Sequence, residues 1–388
     1  PASGNANAPP KTASDVIFTI NPNSAFTAAH MSNLLPSGFP GAGSDIYISA
    51  YLPTNSGANT AGNCAVLKFA QDIPRPTNGL TTIYVSYLLS CTDQGKSVGA
   101  GNVGRYAGFL SQTNISEGSG SAGAYATWAS LFNTFSATGP NYVSFGQKIN
   151  SPAITGGGND ILAADSSGAN SPSSGNAGVG VNYNTANFVV GCFTFSSSMN
   201  DSNAVWVNPP TSDFGGANPS STNFNSFKMT TMMSDVGAFF LESRSGSSSG
   251  GISTSFLGNL LIGTTWSYVT GGPEFTNQPV NFTVLSNAPT AVFTGDAVAA
   301  AQSVNYHWQH VVGGLTNDLT DGVGTAGGSA TVSGSTTDRL TLAGVNAGDK
   351  AGVYQLKATA GGTGFSLISK TAAIIGDPNI VSSPSSAA

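Results

Sequence analysis

The segment Thr82-Ile83-Tyr84-Val85-Ser86-Tyr87-Leu88-Leu89 consists almost entirely of β-branched, aromatic and large aliphatic side chains, which is typical of a β-strand. Residues 44–52 form a second such run, and residues 142–149 alternate apolar and polar side chains. Further runs follow at residues 187–195, 204–208, 227–233, 236–242 and 260–262. Stretches rich in Gly, Ser, Asn and Pro separate them. The sequence therefore predicts an all-β jelly-roll sandwich with long loops.

The strand pattern changes after the turn signal Thr-Gly-Gly-Pro at residues 270–273, beyond which the strands become shorter. About 100 residues follow, the size of an immunoglobulin-like sandwich. We therefore predict four parts: an extended N-terminal tail at 1–14, the jelly roll at 15–271, an immunoglobulin-like domain at 272–376, and a C-terminal tail or linker at 377–388.

Residues 304–309 predict a central strand of the second domain, with Trp308 as its core aromatic residue. The order Leu342, Asp349, Gly352, Tyr354 matches the spacing with which immunoglobulin folds build a tyrosine corner. No cysteines flank Trp308, so apolar packing alone has to hold this sandwich together. Helical periodicity is almost absent, and residues 124–135 predict one short helix or turn.

Composition restricts the function. Charged residues make up only 8% of the 388 residues, the net charge is −6, and no basic cluster occurs, which argues against nucleic acid or an anionic membrane as a partner. Hydrophobic residues reach 39%, enough for a core, and no apolar run approaches the ~20 residues of a membrane-spanning helix. A neutral surface rich in hydroxyls and amides is typical of the cell exterior, so we expect an extracellular or cell-surface location.

Two groups of segments resemble known families. Residues 261–270 (LIGTTWSYVT) resemble the closing strand of bacterial laminin-G-like, concanavalin-type jelly rolls, and residues 206–209 (WVNP) and 142–145 (YVSF) are similar to two other strands of that family. Residues 306–309 and 340–354 resemble the immunoglobulin-like repeats that often follow such domains. The resemblance implies a bacterial surface protein with a laminin-G-like jelly roll and a C-terminal immunoglobulin-like domain.

Residues for acid–base catalysis are scarce. A retaining glycosidase needs two carboxylates about 5 Å apart. The chain has three glutamates, Glu117, Glu242 and Glu274, and none has an acidic neighbour two or four positions away. Glu242 is the one conceivable acid for a glycoside hydrolase, and the alternative is a solvent-facing strand residue. We expect that the protein is not an enzyme.

Three aromatic residues are candidates for carbohydrate binding, because they lie in polar, Gly-rich surroundings: Tyr125, Trp128 and Tyr183. Trp128 could equally contact the core. Asp201, Asn203 and Asp213 are candidate calcium ligands, as laminin-G-like domains often hold calcium at a loop rim, although Asp and Asn also form turns. Apart from possible calcium, no cofactor is predicted.

Cys64 and Cys91 border neighbouring strand-like runs, and the sequence leaves open whether they form a disulfide or two buried thiols. Cys192 lies in an apolar run and predicts a small core residue. His307 and His310 flank Trp308 and would face opposite sides of a strand, which argues against a shared metal ion.

These observations predict a non-enzymatic structural or adhesive protein, a self-associating subunit of a surface filament, sheath or matrix. A nearly uncharged surface favours association with other copies. The strand-like residues 15–20 could add to a neighbour's open sheet edge, giving a homo-polymer or a link to other surface proteins. The alternative is a lectin-like module that binds polysaccharide.

Overall fold

The computed structural model describes residues 39, 45–50, 63–91, 104–110, 128–135, 142–150, 179–182, 186–197, 202–219, 224–227, 235–243, 253–285 and 289–376. The chain divides into two compact units. Unit 1 comprises Pro1–Ser37, Gly41–Asp213 and Pro219–Thr265, and unit 2 comprises Gly38–Pro40, Phe214–Asn218 and Trp266–Ala388. The four-part domain boundaries expected from the sequence stay a prediction.

Unit 1 is built from antiparallel strands. In chain order they are β1 (Asp45–Ala50), β2 (Asn63–Pro74), β3 (Leu80–Cys91), β4 (Gly104–Leu110), β5 (Trp128–Phe135), β6 (Tyr142–Asn150), β7 (Val179–Asn182), β8 (Asn187–Ser196), β9 (Ser202–Val207), β10 (Phe224–Phe227), β11 (Asp235–Ser243) and β12 (Ser253–Gly263). A 3₁₀ helix, Thr211–Asp213, follows β9.

These strands form two six-stranded sheets, with the orders β1-β12-β3-β8-β9-β10 and β2-β11-β4-β5-β6-β7. The sheets contact each other where β6 meets β9 and β10 and where β1 meets β2 and β11. Side chains 83–89 of β3 and 186–193 around β8 are buried without alternation. Both faces of this central strand pair are therefore covered, which explains why their sequences are continuous apolar runs.

The main segment of unit 2 begins with a four-residue helix, α1 (Trp266–Val269), and continues with short strands. These are β13 (Pro273–Asn277), β14 (Phe282–Val284), β15 (Thr290–Thr294), β16 (Asp296–Ala299), β17 (Val304–Val312), β18 (Leu315–Asp318), β19 (Thr331–Ser333), β20 (Arg339–Ala343), β21 (Val353–Ala360), β22 (Ser366–Ile368) and β23 (Ala372–Gly376).

One sheet of unit 2 has the order β14-β23-β21-β17-β18, with β14 parallel to β23, and β22 also pairs with β21. Opposite it lie β15-β20-β19 and the pair β13-β16. A core of buried residues fills the space between, with Phe293 at its centre: its ring centroid lies 6.2 Å from that of Trp308 and 5.0 Å from that of Tyr354. This arrangement is an immunoglobulin-like sandwich.

The β17–β18 hairpin shows how the sequence determines the register. Gly313 and Gly314 connect Val312 to Leu315 with φ angles of +60° and +80°. A two-residue turn with both φ angles positive matches the twist of the flanking strands, and glycine adopts these angles without steric cost. Glycines at these two positions therefore fix β17 against β18.

The architecture confirms the fold class predicted from the sequence: all-β, with a jelly-roll sandwich and a smaller immunoglobulin-like sandwich. The helix or turn predicted over residues 124–135 is wrong, because residues 128–135 form β5 and pair with both β4 and β6. Sheet pairing on both sides overrides the weak local helix preference of Ala, Leu and Trp there. Among the described residues, no helix has the length and apolarity needed to cross a membrane.

Candidate functional site

Trp128, one of the candidate sugar-binding residues, is the first residue of β5 at one rim of its sheet. It pairs with Leu110, the last residue of β4, and with Asn150, the last residue of β6. Three strands therefore end in register at Trp128. In sequence, the Gly- and Ser-rich residues 111–127 come directly before it, so Trp128 occupies the kind of rim position from which sandwich proteins bind ligands.

The other two candidate aromatic residues, Tyr125 and Tyr183, lie outside the described residues. Tyr183 follows Asn182 of β7, which pairs with Tyr142, the first residue of β6. Trp128 pairs at the opposite end of that nine-residue strand, so the two pairing positions are about 26 Å apart. A single site at the Trp128 rim thus draws on residues near Trp128 in the sequence rather than on β7.

The candidate calcium ligands are spread along β9 and beyond it. Asp201 lies outside the described residues, Asn203 is the second residue of β9, and Asp213 ends the 3₁₀ helix. The carboxylate of Asp213 accepts a 3.4 Å hydrogen bond from the hydroxyl of Ser212. Within the part of the chain that the structure describes, no three His, Cys, Asp or Glu side chains are grouped to hold a metal ion.

The structure describes the side chain of one cysteine, Cys192, and leaves the predicted Cys64–Cys91 disulfide untested. Cys192 is buried in β8, opposite Tyr84 of β3, as the apolar run predicted. Burial raises the pKa of the Cys192 thiol, which makes it a poor nucleophile at neutral pH. The side chains of Cys64 and Cys91 lie outside the described residues, and their strands belong to different sheets. Their disulfide stays a prediction.

The segment WVNP contributes a structural hydrogen-bond cluster. Asn208 adopts a left-handed φ of +49° directly after β9. Its side-chain oxygen accepts a 2.8 Å hydrogen bond from the backbone N–H of Phe188, and its side-chain nitrogen donates to Asn187 at 2.9 Å. Its own backbone N–H donates to Phe188 O at 2.7 Å. Asn208 therefore ties the end of β9 to the start of β8.

The second family-like segment, LIGTTWSYVT, ends inside unit 2 in a similar cluster. The Thr270 hydroxyl donates to the carbonyl of Trp266 at 2.7 Å and accepts a 2.9 Å hydrogen bond from the N–H of Gly215. The Ser267 hydroxyl donates to Gly215 O at 2.8 Å. Since all of these groups are buried, the Ser and Thr hydroxyls of this segment serve to hold its turn. The segment was expected to be one closing strand, but only residues up to Gly263 are in β12.

In unit 2 the predicted tyrosine corner is present. Tyr354 is fully buried, and its hydroxyl donates a 2.8 Å hydrogen bond to the backbone carbonyl of Asp349. Trp308 is buried as predicted, and its indole N–H donates to Thr337 O at 2.8 Å. Burial, and then the nearby charge of Asp349, raise the pKa of the Tyr354 hydroxyl, so it stays protonated.

The carboxylate of Asp349 is the centre of a network that the sequence analysis missed. It accepts hydrogen bonds from the Thr325 hydroxyl and from the backbone N–H groups of Asn346 (2.9 Å), Ala330 (3.2 Å) and Ser329 (3.3 Å). Burial by itself raises the pKa of Asp349, but these hydrogen bonds lower it to a net value below the ordinary one. The spacing Asn346-x-x-Asp349 was the available signal, because both residue types bond nearby backbone.

The two histidines of β17 differ as predicted for positions i and i+3 in a strand. His307 is partly exposed, with its Nε2 3.9 Å from the carboxylate of Asp318, whereas His310 is fully buried. They do not share a site. The stacking of His310 on Tyr354 was not predicted, since alternation indicates which face is inward and not what the ring meets there.

No model of a known protein family matches the chain, and no curated protein matches it. Among solved structures, it is similar to a legume lectin-like domain from Entamoeba histolytica (9% identity, 56% of this chain and 90% of that chain, TM-score 0.28). It is also similar to the winged bean acidic lectin complexed with methyl-α-D-galactose (9% identity, 57% of this chain and 89% of that chain, TM-score 0.28). A third similar structure is that of Sidekick-1 immunoglobulin domains 1–5 (13% identity, 85% of this chain and 99% of that chain, TM-score 0.21). Likenesses at these TM-scores carry no argument about function.

Proposed function

We propose that this chain is a non-enzymatic, extracellular adhesive protein, and that unit 1 is a carbohydrate-binding module. The observation that carries the proposal is the position of Trp128, where three strands end together after a Gly- and Ser-rich segment. Aromatic rings at such rims bind the apolar faces of sugars, while neighbouring hydroxyl and amide groups bind sugar hydroxyls.

Several polar side chains of unit 2, and the buried thiol of Cys192 in unit 1, serve the structure and are not placed for catalysis. The hydroxyls of Ser267, Thr270 and Thr325 and the carboxylate of Asp349 all hold turns and loops through hydrogen bonds. The thiol of Cys192 is buried with a raised pKa. Groups committed in this way are unavailable for proton transfer, which requires a side chain within reach of a substrate.

The test is a pull-down of the full chain on insoluble polysaccharides, together with a glycan array. We expect binding to at least one polysaccharide, and a Trp128→Ala variant that binds at least about ten-fold more weakly because it lacks the stacking ring. Phe135→Ala is the matched control, since it removes an aromatic residue from the other end of β5. Absence of binding to every polysaccharide, or equal losses in the two variants, would contradict the proposal.

A second candidate function is self-association into a surface filament or matrix. The low content of charge favours it, since copies with only 8% charged residues repel one another little. Residues 15–20, outside the described part of the chain, would supply the added strand. Sedimentation velocity at high concentration tests it: we expect polymers from the full chain and monomers after deletion of residues 1–20. A full chain that stays monomeric would exclude this candidate and leave carbohydrate binding untouched.

A further inference from the structure

A fully buried histidine side chain in unit 2 has no hydrogen-bond partner among the residues that the structure describes. His310 lies in β17, and neither Nδ1 nor Nε2 of its ring is hydrogen-bonded. Most buried polar atoms in proteins are paired, because an unpaired group loses its bonds to water without replacement. Two unpaired atoms on one buried, titratable ring therefore need a physical account.

The surroundings of the ring explain how the neutral form is accommodated. The His310 ring stacks on the ring of Tyr354, its cross-strand neighbour, with centroids 4.6 Å apart and planes 10° apart. On another side lies Gly352, where an added Cβ would clash with Nε2. The absence of a side chain at Gly352 makes room for the imidazole, and no polar group in the described part of the chain accepts a hydrogen bond from it.

The titratable groups that face the ring are Asp349 and Tyr354. Both carboxylate oxygens of Asp349 already accept hydrogen bonds from the 325–330 loop and from Asn346. The hydroxyl of Tyr354 donates to the backbone carbonyl of Asp349. From β18, the amide of Asn317 donates to the backbone carbonyl of His310 and not to its ring. A protonated His310 ring would thus have two N–H donors without a hydrogen-bond acceptor, and its positive charge would be buried.

We propose that His310 is a proton-operated latch in unit 2. The neutral ring stacks on Tyr354 and so stabilises the end of the β17–β21 pairing at which these two residues lie. A proton taken up from solvent at Nδ1 or Nε2 forms one N–H bond, creates a cation that the buried position cannot hydrate, and drives the ring out of the stack. The end of the sandwich that carries the tyrosine corner then opens more often, so unit 2 is less stable in acid.

The direction of the pH effect follows from the native environment. Burial lowers the pKa of His310, and the charge of Asp349 raises it only in part. The unfolded or opened ring has an ordinary pKa of about 6.5, so the opened state binds more protons below that pH. The contribution of neutral His310 to the stability of the closed state is therefore fully present above about pH 7.5, and it decreases as the pH drops through 6.5. Between pH 7.5 and pH 5, the ratio of closed to opened molecules therefore falls by up to about thirty-fold.

Hydrogen–deuterium exchange of the full chain at pH 7.5 and pH 5.0, corrected for the intrinsic exchange rates, tests the latch. We expect peptides from β17 and β21 to lose protection at pH 5.0, by up to about thirty-fold, while peptides from β8 keep theirs. His310→Phe, which retains a ring for stacking and cannot take up a proton, should remove this loss. His307→Phe, on the outer face of the same strand, should retain the wild-type response.

Three results would overturn the latch: equal losses in wild type and His310→Phe, a loss abolished by His307→Phe, or a loss of the same size in β8. If His310→Phe does not fold, NMR titration of labelled histidine in the unmutated chain decides. A His310 ring that titrates below 6.5 together with the loss of β17 protection supports the latch, and a ring that titrates at or above 6.5 refutes it.

Discussion

The strand pair β3–β8 of unit 1 and the strand pair β17–β21 of unit 2 differ in how their side chains are buried. Along residues 83–89 of β3 every side chain is buried, whereas side chains along β21 alternate strictly between half-buried and buried. The first pair is covered on both faces and the second on one. Apolar burial is therefore the main stabilising term for β3–β8, since each large side chain contributes about 1.5–3 kcal/mol.

The two strand pairs also differ in the hydrogen bonds that their buried polar side chains form. In β3–β8 the buried Tyr84 faces Cys192, whose thiol is a weak hydrogen-bonding group. In β17–β21, Trp308 and Tyr354 each donate to a named backbone carbonyl, and Ser369 accepts from the N–H of Leu356 at 2.8 Å. In unit 2 these hydrogen bonds join core side chains to loops, in addition to the apolar packing around Phe293.

The largest effect should come from removing the core aromatic residue of unit 2. Trp308→Ala removes a fully buried indole and leaves Thr337 O without its donor, so we expect a loss of about 3–5 kcal/mol. Hydrogen–deuterium exchange of β17 and β21 peptides, with β8 peptides as an internal reference, measures it.

Leu315→Ala is the control for this substitution, because Leu315 is 70% exposed at the hairpin, and it should change stability by less than about 0.5 kcal/mol. If Trp308→Ala costs under about 1 kcal/mol, the packed layer around Phe293 is not what stabilises unit 2.

A smaller effect is expected at the Asp349 network, with a pH dependence that β3–β8 lacks. Asp349→Asn places an NH₂ group against donors and should cost about 2–4 kcal/mol at pH 7. The pKa of Asp349 is lowered in the folded chain, so its contribution is complete above about pH 5 and is lost as the pH falls below about 3.9. Urea unfolding at pH 7 and pH 3 measures this difference.

We therefore expect the stability gap between wild type and Asp349→Asn to shrink at pH 3. Asp318→Asn, at an exposed carboxylate of β18, is the matched control and should be near neutral at both pH values. A gap that is constant with pH would show that the network does not depend on the charge of Asp349.

The contrast also explains which parts of the fold could be predicted from the sequence. In unit 2, Trp308 could be assigned to the core of a central strand and Tyr354 to the tyrosine corner, the latter from its spacing to Asp349, before the structure. In unit 1, residues 82–89 indicated a strand, but a continuous apolar run does not specify its partners. The pairing of β3 with both β8 and β12 could not be derived, because it depends on contacts distant in the sequence.

The candidate site was predictable only in its residue types. Trp128 was noted for its polar neighbours, yet the predicted helix or turn was wrong, because local preference cannot report that β4 and β6 flank residues 128–135. The Asp349 network and the His310 stack depend on loops and strands that meet only in the fold. Spacing identified the corner tyrosine, but it could not show that a histidine ring lies against it.

The smallest effect, and the sharpest comparison, comes from the same substitution in both units. Tyr354→Phe removes the 2.8 Å hydrogen bond to Asp349 O and leaves that carbonyl unpaired, so we expect a loss of about 1–2 kcal/mol. Among the described residues the Tyr84 hydroxyl meets the Cys192 thiol, a weak partner, so Tyr84→Phe should cost less than about 0.5 kcal/mol. Exchange protection of β21 and of β8 reports each unit separately in the same chain.

Both variants keep the aromatic ring, so they separate the hydroxyl's hydrogen bond from the burial of the ring. Tyr354→Phe also keeps the ring that stacks on His310, and its loss should appear equally at pH 7.5 and pH 5.0, in contrast to the latch. Equal losses in the two units would mean that the Tyr84 hydroxyl contributes as much as the corner hydroxyl. Polar contacts would then stabilise the centre of unit 1 as strongly as they stabilise unit 2, and apolar burial would no longer distinguish them.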